Sequence, residues 1–383
     1  MKTNKLKFVF LAPRFHTNQI CWVEALLEHD HEVEFNVLFK AFSENYSLVE
    51  PTVFSPCKAS TIIMNLFGKG GSGLNLYRGF PNPIYYFKSL KKSGADVIVI
   101  RDIDRWFSFL GAICARILRI KIIIYFQIPL HRKYSLKGKL VKNAILRIFN
   151  AKFITPVLGE KSEEYFIVGN SCHIGEVSVP KNIFFVPFAV ETSDYLKKIS
   201  NSSIRFLSIS KFEKRKNHLM LLKVIKKLGS IKKNNFSLTI IGEVSNEEHL
   251  KYFEECRQFI KENNMEALVK VYTNIPNEKI KQFYLAHDVF ILPATKECAA
   301  ISPLEAMGFG LPAICSNTNG TRYYIENNTT GIIFEDNSYK SLKRAINSLL
   351  DESEVHRMKE NVRVFAKRNM TKNNFYNAFI DIL

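Results

Sequence analysis

Short apolar segments recur along the whole chain and are separated by polar loops or by longer stretches with helical spacing. Each of these segments is five or six residues long and is rich in Val, Ile, Leu or Phe, which is typical of strands buried on both faces. They lie at 7–12, 96–100, 121–126, 152–156, 204–209, 237–241, 268–272 and 288–293. Because helical stretches such as 107–118 separate several of them, the pattern predicts an α/β protein with parallel sheets.

The pattern is interrupted once and then starts again. A polar cluster between residues 191 and 201 precedes the strand predicted at 204–209. A chain of 383 residues with 46% apolar residues is long enough to bury two cores. We therefore predict an N-terminal domain over 1–191 and a second α/β domain over 202–368.

Composition limits the environment and the partners of the chain. The chain has no apolar run long enough to span a bilayer and no signal-peptide pattern. Its seven cysteines are scattered, without zinc-type or C-x-x-C spacing. These observations predict a cytoplasmic protein with reduced thiols. The net charge of +18 favours an anionic partner. No nucleic-acid-binding motif accompanies this charge, so we expect phosphate groups or a membrane surface and no nucleic acid.

A basic amphipathic helix is predicted over residues 135–150. Apolar residues recur there every three or four positions, and lysines and arginines occupy other positions without an intervening acidic residue. One interpretation is peripheral contact with the anionic inner face of the cell membrane. The alternative is an ordinary core-facing helix with a solvated lysine face.

The stretch 297–314 has the most specific chemistry in the chain. Ser302, Pro303 and Glu305 are spaced as in a capping box, which predicts a helix that begins with Ser302 as its N-cap. The preceding Cys298, Ala299 and Ala300 are small, and a helix N-terminus favours a bound phosphate. Two carboxylates, Glu297 and Glu305, bracket this position, and Glu305 has a purely structural capping role as its alternative.

This stretch resembles the E-x7-E signature of retaining glycosyltransferases of the GT-B fold, in particular glycosyltransferase family 4. The two glutamates, the Ser-Pro-Leu-Glu-Ala-Met run and the following Gly-Leu-Pro-Ala-Ile all match, whereas 298–300 replaces the usual Gly-Phe-Gly. The resemblance implies two Rossmann-like domains facing each other across a cleft, with a final helix, 369–383, returning to the first. It also implies transfer of a sugar from a nucleotide diphosphate sugar to a hydroxyl with retention of configuration.

The resemblance extends to other positions in the second domain. Residues 210–218 are similar to the family's G-R-L-x-x-x-K-G motif, with Lys211 and Lys216 at the two cationic positions. The resemblance implies that these lysines and Glu297 serve catalysis, by neutralising the diphosphate and by holding the donor sugar, and that Glu305 binds the ribose. The donor-binding residues implied in this way are Ser210, Gly242, Asn274, Ile275, Ala299, Ala300, Ile301, Ser302 and Glu305. The resemblance implies neither a metal nor a cofactor.

Acceptor binding is expected at the first domain. The loop after the first strand contains His16 and Asn18, and Gln127 and His131 follow the strand predicted at 121–126. Ligands bind at the carboxyl ends of strands in open α/β sheets, so these four residues are candidates for the acceptor side. A loop-bracing role is the alternative for His16.

We therefore predict a retaining glycosyltransferase that acts on a glycan or lipid-linked acceptor, plausible in O-antigen or capsule assembly in a bacterium. Two alternatives stay open at this point. One is another GT-B enzyme, such as a phosphorylase or an epimerase. The other is a catalytically silent protein that binds a nucleotide or a glycan.

Overall fold

The computed structural model describes residues 5–40, 44, 46–67, 77–127, 144–145, 147–158, 182–193, 203–230 and 236–383. His131 and most of the basic helix predicted over 135–150 lie outside these ranges. The described residues form two compact units. The first unit comprises the residues up to 158, 182–187 and 375–383, and the second comprises 188–193, 203–230 and 236–374.

The first unit is built on one parallel sheet of seven strands in the order β3-β2-β1-β4-β5-β6-β7. The strands are Lys7–Ala12 (β1), Glu32–Val37 (β2), Thr52–Val53 (β3), Val97–Arg101 (β4), Lys121–Tyr125 (β5), Lys152–Thr155 (β6) and Ile183–Phe185 (β7). Its helices are Ile20–Glu28 (α1), Lys58–Phe67 (α2), Pro83–Ser93 (α3) and Trp106–Ile117 (α4), with a 3₁₀ turn at Thr17–Gln19. The chain reverses its direction of winding between β1 and β4, which creates a crevice at their carboxyl ends.

The second unit repeats this plan with a six-stranded parallel sheet in the order β10-β9-β8-β11-β12-β13. The strands are Ile204–Ile209 (β8), Phe236–Gly242 (β9), Val269–Thr273 (β10), Val289–Leu292 (β11), Ala313–Ser316 (β12) and Gly331–Phe334 (β13). The helices are His218–Gly229 (α5), Asn277–Ala286 (α7), Ser302–Gly308 (α8), Tyr339–Ser348 (α9), Glu352–Asn369 (α10) and Lys372–Ile380 (α11), with Glu247–Glu262 (α6) between β9 and β10. Its reversal point lies between β8 and β11. Short 3₁₀ turns at Lys214–Lys216 and Gly320–Tyr324 follow β8 and β12.

These two sheets confirm the predicted α/β class. The strands are buried because helices pack on both faces, so runs such as Phe8–Ala12 have almost no exposed surface. The last helix, α11, begins in the second unit and ends in the first, where Phe375 stacks on the indole of Trp22 at a centroid distance of 4.7 Å. No helix in the described part of the chain is both long and apolar enough to cross a bilayer.

Candidate active site

Glu297 meets two cations at the reversal point of the second sheet. It lies in the loop between β11 and α8, and Arg215 and Lys216 lie in the 3₁₀ turn that follows β8. The Lys216 ammonium is 2.5 Å from the Glu297 carboxylate, and the Arg215 guanidinium donates to the same oxygen. A backbone hydrogen bond from the Thr295 N–H to the Arg215 carbonyl, 2.8 Å long, joins the two loops. The structure thus brings together Glu297 and Lys216, both predicted from the sequence.

Burial makes this ion pair electrostatically strong. Only 9% of the Lys216 side chain and 11% of the Glu297 side chain are exposed. Burial works against the charge on Glu297, but Lys216 and Arg215 outweigh it and hold the pKa of the carboxyl below its ordinary value. Burial also lowers the pKa of Lys216, and Glu297 opposes that shift. Removing Glu297 would leave the buried Lys216 ammonium without its carboxylate partner, whereas removing Lys216 would leave Glu297 paired with Arg215 alone.

The second carboxylate, Glu305, has a different partner. Its Oε2 accepts a 2.8 Å hydrogen bond from the hydroxyl of Tyr284 on α7. Burial raises the pKa of Glu305, and the Tyr284 hydroxyl partly offsets this shift. Tyr284 is itself held by stacking on Phe309 at 5.5 Å. Glu305 is therefore a half-buried carboxylate without a cationic partner among the described residues, unlike Glu297.

The predicted capping box is wrong. Helix α8 begins at Ser302, and the residue before it, Ile301, has no capping side chain. The Ser302 hydroxyl instead donates to the Ile209 carbonyl at the end of β8, at 3.0 Å, and Glu305 is engaged by Tyr284. Both polar side chains thus form hydrogen bonds with groups distant in the sequence and do not cap the N-terminus of α8. Within the described chain, the backbone N–H groups of Ala300, Ile301 and Ser302 have no hydrogen-bond partner.

Lys211 lies apart from the Glu297 pair. Its ammonium is 3.3 Å from the carboxylate of Glu243, the residue that follows β9, and Glu297 is not among its described partners. The ends of β8 and β9 come close because Gly242 has no side chain. A Cβ at that position would lie 2.3 Å from the Phe212 ring and 2.8 Å from the Ser210 carbonyl oxygen. Gly242 thus shapes the loop that carries Lys211.

Asn274 braces the neighbouring loop. It has a left-handed backbone, with φ of 52°, and its side chain accepts from the Val244 N–H at 2.9 Å and donates to the Val244 carbonyl at 3.1 Å. Ile275 is half-buried against the apolar core around Leu207. Both residues therefore position the loops after β9 and β10, where the sequence predicted contact with the donor.

Arg215 and Glu213 are site residues that the sequence analysis did not select. Besides contacting Glu297, Arg215 Nε lies 2.6 Å from Glu213 Oε2, and Glu213 lies 3.6 Å from His249 Nε2. The motif comparison selects only the first and last cations of the segment, and so passes over Arg215. The available signal was the unbroken Lys-Arg-Lys run at 214–216.

His218 is a fully buried histidine directly behind the predicted donor-binding residue Ser210. Its Nε2 is 3.0 Å from the Ser210 hydroxyl. Burial, with a smaller contribution from the Lys216 charge, lowers the pKa of His218 to about 3. The imidazole is therefore neutral in the folded protein at every pH at which the fold is expected to work.

The stability of the protein is expected to fall in mild acid because of His218. Below about pH 6.5 the unfolded chain binds a proton on this imidazole and the folded chain does not, so the free energy of unfolding decreases by up to about 1.4 kcal/mol per pH unit. Urea unfolding at about pH 7 and about pH 5 checks this. His218→Gln, which does not titrate, should lose clearly less stability between the two conditions. Equal losses in both proteins would contradict the assignment.

In the first unit, Arg101 joins two of the predicted acceptor-side residues. The guanidinium donates to Asn18 Oδ1 at 2.9 Å and to Gln127 Oε1 at 3.4 Å. It also lies over the Tyr125 ring, 5.2 Å from its centroid. Arg101 and Tyr125 are paired at the ends of β4 and β5, so the sheet register places them side by side. Sequence reasoning missed Arg101, although a cation at the end of an apolar strand was a visible signal.

His16 lies beside this group but has a different partner. Its Nε2 is 3.9 Å from Asp102 Oδ2, and Arg101 Nε is 3.9 Å from the other oxygen of the same carboxylate. Asp102 follows β4 directly and has a left-handed backbone with φ of 53°. His16, Asn18 and Gln127 therefore gather at the carboxyl edge of the first sheet, next to its reversal point.

Comparison with known proteins identifies a family and individual proteins to which this chain is similar. Residues 192–365 match the family described as glycosyl transferases group 1. The chain is 24% identical over 318 residues to UDP-Gal:alpha-D-GlcNAc-diphosphoundecaprenol alpha-1,3-galactosyltransferase of Escherichia coli, which covers 76% of this chain and 75% of that protein. It is 20% identical over 319 residues to the amylovoran biosynthesis glycosyltransferase AmsK of Erwinia amylovora, covering 78% and 71%.

A solved structure is similar to this chain in its fold. The crystal structure of Anabaena HepE in complex with UDP-glucose has a TM-score of 0.69 to this chain at 13% identity, and the similarity covers 98% of this chain and 99% of that one. The predicted GT-B fold is thereby confirmed. The chain is a GT-B glycosyltransferase, and its residues 192–365 match the glycosyltransferase group 1 family.

Proposed function

We propose that the protein transfers a sugar from a nucleotide diphosphate sugar to a hydroxyl of a lipid-linked glycan, with retention of the anomeric configuration. The observation that carries this proposal is the buried ion pair between Glu297, in the loop that leads into α8, and Lys216, in the turn that follows β8, with Arg215 contacting the same carboxylate. A carboxylate held between two cations at a ligand-binding sheet edge suits a substrate with both sugar hydroxyls and a diphosphate.

The diphosphate is expected to bind where positive groups converge. Lys216 and Arg215 provide charge, and the amides of Ala300, Ile301 and Ser302 provide N–H donors without other described partners. Negative charge develops on the diphosphate as the bond to the sugar breaks, and such preorganised donors stabilise it. In this proposal these groups supply the positive charge, so no metal ion is required.

In this proposal the two carboxylates bind the other two parts of the donor, the sugar and the ribose. Glu297 is held charged by its cations, so it is suited to accept hydrogen bonds from hydroxyls of the donor sugar. Glu305 has no cationic partner among the described residues and can accept from ribose hydroxyls alongside the Tyr284 hydroxyl. That HepE was solved with UDP-glucose supports a nucleotide sugar as the donor.

The acceptor is assigned to the first unit. Arg101, Asn18 and Gln127 form a polar cluster at the carboxyl edge of its sheet, with His16 beside them. The Escherichia coli relative is named for a diphosphoundecaprenol acceptor, and the Erwinia relative for amylovoran biosynthesis. These names support a lipid-linked glycan in bacterial surface polysaccharide assembly.

A panel of nucleotide sugars tests the proposal. We expect one UDP- or GDP-sugar to be hydrolysed slowly in the absence of acceptor, and Glu297→Gln, whose folded state is checked by its melting curve, to abolish this hydrolysis. NMR of the early product should show the anomer of the donor, because retention is proposed. An inverted first product would refute the stereochemical part. Turnover of sugar 1-phosphates but not of nucleotide sugars would identify a phosphorylase instead.

A further inference from the structure

Arg215 is held between two carboxylates in the second unit. Its Nη1 donates to Glu297, and its Nε lies 2.6 Å from Oε2 of Glu213, two residues earlier in the chain. Its backbone is fixed as well, because the Arg215 carbonyl accepts a 2.8 Å hydrogen bond from the Thr295 N–H. A guanidinium group is planar, so contacts at two of its nitrogens fix the direction of the N–H bonds on the third. The two carboxylates therefore determine where Nη2 of Arg215 points.

This third nitrogen, Nη2, has no hydrogen-bond partner in the described part of the chain. Of the Arg215 side chain 47% is exposed, compared with 9% of the Lys216 side chain. Arg215 thus combines an accessible donor with a fixed orientation, whereas Lys216 is buried against Glu297. Guanidinium groups bind phosphate oxygens through strong hydrogen bonds of defined geometry. Arg215 is therefore suited to donate to a diphosphate through Nη2.

Glu213 is itself contacted by a histidine. Its Oε1 lies 3.6 Å from Nε2 of His249, a residue on α6 that is 6% exposed. The Ser245 N–H donates to Nδ1 of His249 at 3.3 Å, so Nδ1 is the acceptor and Nε2 carries the proton. The Asn246 side chain accepts from the His249 N–H at 2.9 Å at the start of the helix. The fixed imidazole thus presents an N–H to Oε1 of Glu213, while Arg215 contacts Oε2.

We propose that Glu213, braced by His249, is a positioning residue that orients Arg215 for a hydrogen bond from Nη2 to the diphosphate of the nucleotide sugar. This inference rests on the proposed function and deepens it, because it assigns the residues that orient one of its cations. Glu213 does not touch the substrate and acts only through Arg215. The alternative, in which Glu213 only neutralises the arginine, predicts the opposite change of affinity when the carboxylate is removed.

Calorimetric titration of Glu213→Gln with UDP and GDP, and with uridine and guanosine, distinguishes the two roles. Removal of a nearby negative charge strengthens the binding of an anion, so neutralisation predicts tighter binding of the nucleoside diphosphate. Positioning predicts binding that is weaker by about three- to tenfold, because a charge-assisted hydrogen bond loses its alignment. Affinity for the nucleoside, which has no phosphate, should stay the same.

A double-mutant cycle tests whether Glu213 acts through Arg215. Arg215→Ala should weaken binding of the nucleoside diphosphate by about tenfold or more. On that background Glu213→Gln should cause no further loss, since the group that it orients is absent. Arg215→Lys should lose most of the same affinity, because an ammonium keeps the charge but cannot hold two carboxylates and a phosphate in one fixed plane.

Glu254→Gln is the matched control. Glu254 lies on α6 and pairs with Arg257 at 3.2 Å, so the substitution removes a carboxylate from an arginine ion pair that does not include Glu297, and both affinities should stay unchanged. His249→Asn keeps an acceptor near the position of Nδ1 and removes Nε2. It should weaken diphosphate binding about twofold, less than Glu213→Gln does. Melting curves check that each variant is folded.

Tighter or unchanged binding of the nucleoside diphosphate by Glu213→Gln would overturn the proposal, and so would an equal further loss on the Arg215→Ala background. Full affinity in Arg215→Lys would show that charge alone suffices, which also contradicts it. Unchanged affinity in His249→Asn would overturn the part assigned to the histidine. None of these results contradicts the proposed sugar transfer. If the unaltered chain bound neither UDP nor GDP, the proposed function and this inference would both fail, so the two failures are distinguishable.

Discussion

Replacing Lys216 by alanine is expected to lower turnover by about 10²- to 10³-fold, the loss typical of removing one preorganised electrostatic donor. The ammonium of Lys216 lies 2.5 Å from the Glu297 carboxylate, and the Lys216 side chain is almost completely buried. Under the proposed function, its loss removes charge that stabilises the leaving diphosphate, and it leaves Arg215 as the remaining described cation beside Glu297. Steady-state rates with the preferred donor measure the effect. Affinity for the nucleoside diphosphate should fall more than affinity for the nucleoside.

Two further variants distinguish an effect on turnover from an effect on folding stability. Lys214 lies in the same 3₁₀ turn but is exposed, so Lys214→Ala should change turnover little. Lys216→Arg keeps a positive charge beside Glu297 and should retain more of the folding stability than alanine does. A parallel loss of affinity for nucleoside and nucleoside diphosphate in Lys216→Ala would show that this lysine does not contact the phosphates.

Replacing Glu305 by glutamine is expected to weaken nucleotide binding by about 1–3 kcal/mol, the range for a hydrogen bond to a charged group. Glutamine retains a side-chain oxygen that can accept from the Tyr284 hydroxyl, so the free energy of unfolding should change less than the affinity. Calorimetric titration with the preferred nucleoside diphosphate measures the loss. The loss should shrink with a deoxyribose analogue, because the proposed partner hydroxyl is then absent.

Tyr284→Phe is the matched control for Glu305→Gln. It removes the same hydrogen bond from the other side and keeps the carboxylate of Glu305 in place. If Glu305 contacts ribose, Tyr284→Phe should weaken nucleotide binding clearly less than Glu305→Gln does. Identical losses in the two variants would mean that the glutamate acts only by holding Tyr284.

The buried strands were predictable because their signal is local. Two predicted segments, Lys7–Ala12 and Ile204–Ile209, have the same bounds in the structure. A strand covered on both faces must be apolar at nearly every position, so a window of six residues contains the whole signal. The two-residue edge strand Thr52–Val53 lacks such a run and was not predicted, and Ile183–Phe185 was not predicted either, although its segment is apolar.

The contact between Glu297 and Lys216 was predictable only in part. Both residues follow apolar strands, and parallel topology brings the ends of those strands to the same sheet edge. The motif comparison selected Glu297 and Lys216, which the structure brings into contact, but it did not show which cations touch the carboxylate. Arg215 contacts Glu297, whereas Lys211 is paired with Glu243.

What the sequence by itself determined was the order of strands and helices, the two α/β units and the segments that carry charged and polar groups to the sheet edges. The tertiary structure alone decided which partner each polar group has. Ser302 bonds the Ile209 carbonyl and Glu305 bonds Tyr284, although local spacing predicted that the two would cap a helix. Arg101 likewise connects Asn18 and Gln127. The physical reason is that apolar periodicity is a property of consecutive residues, whereas hydrogen bonds and ion pairs depend on distances of a few ångströms between segments brought together by folding.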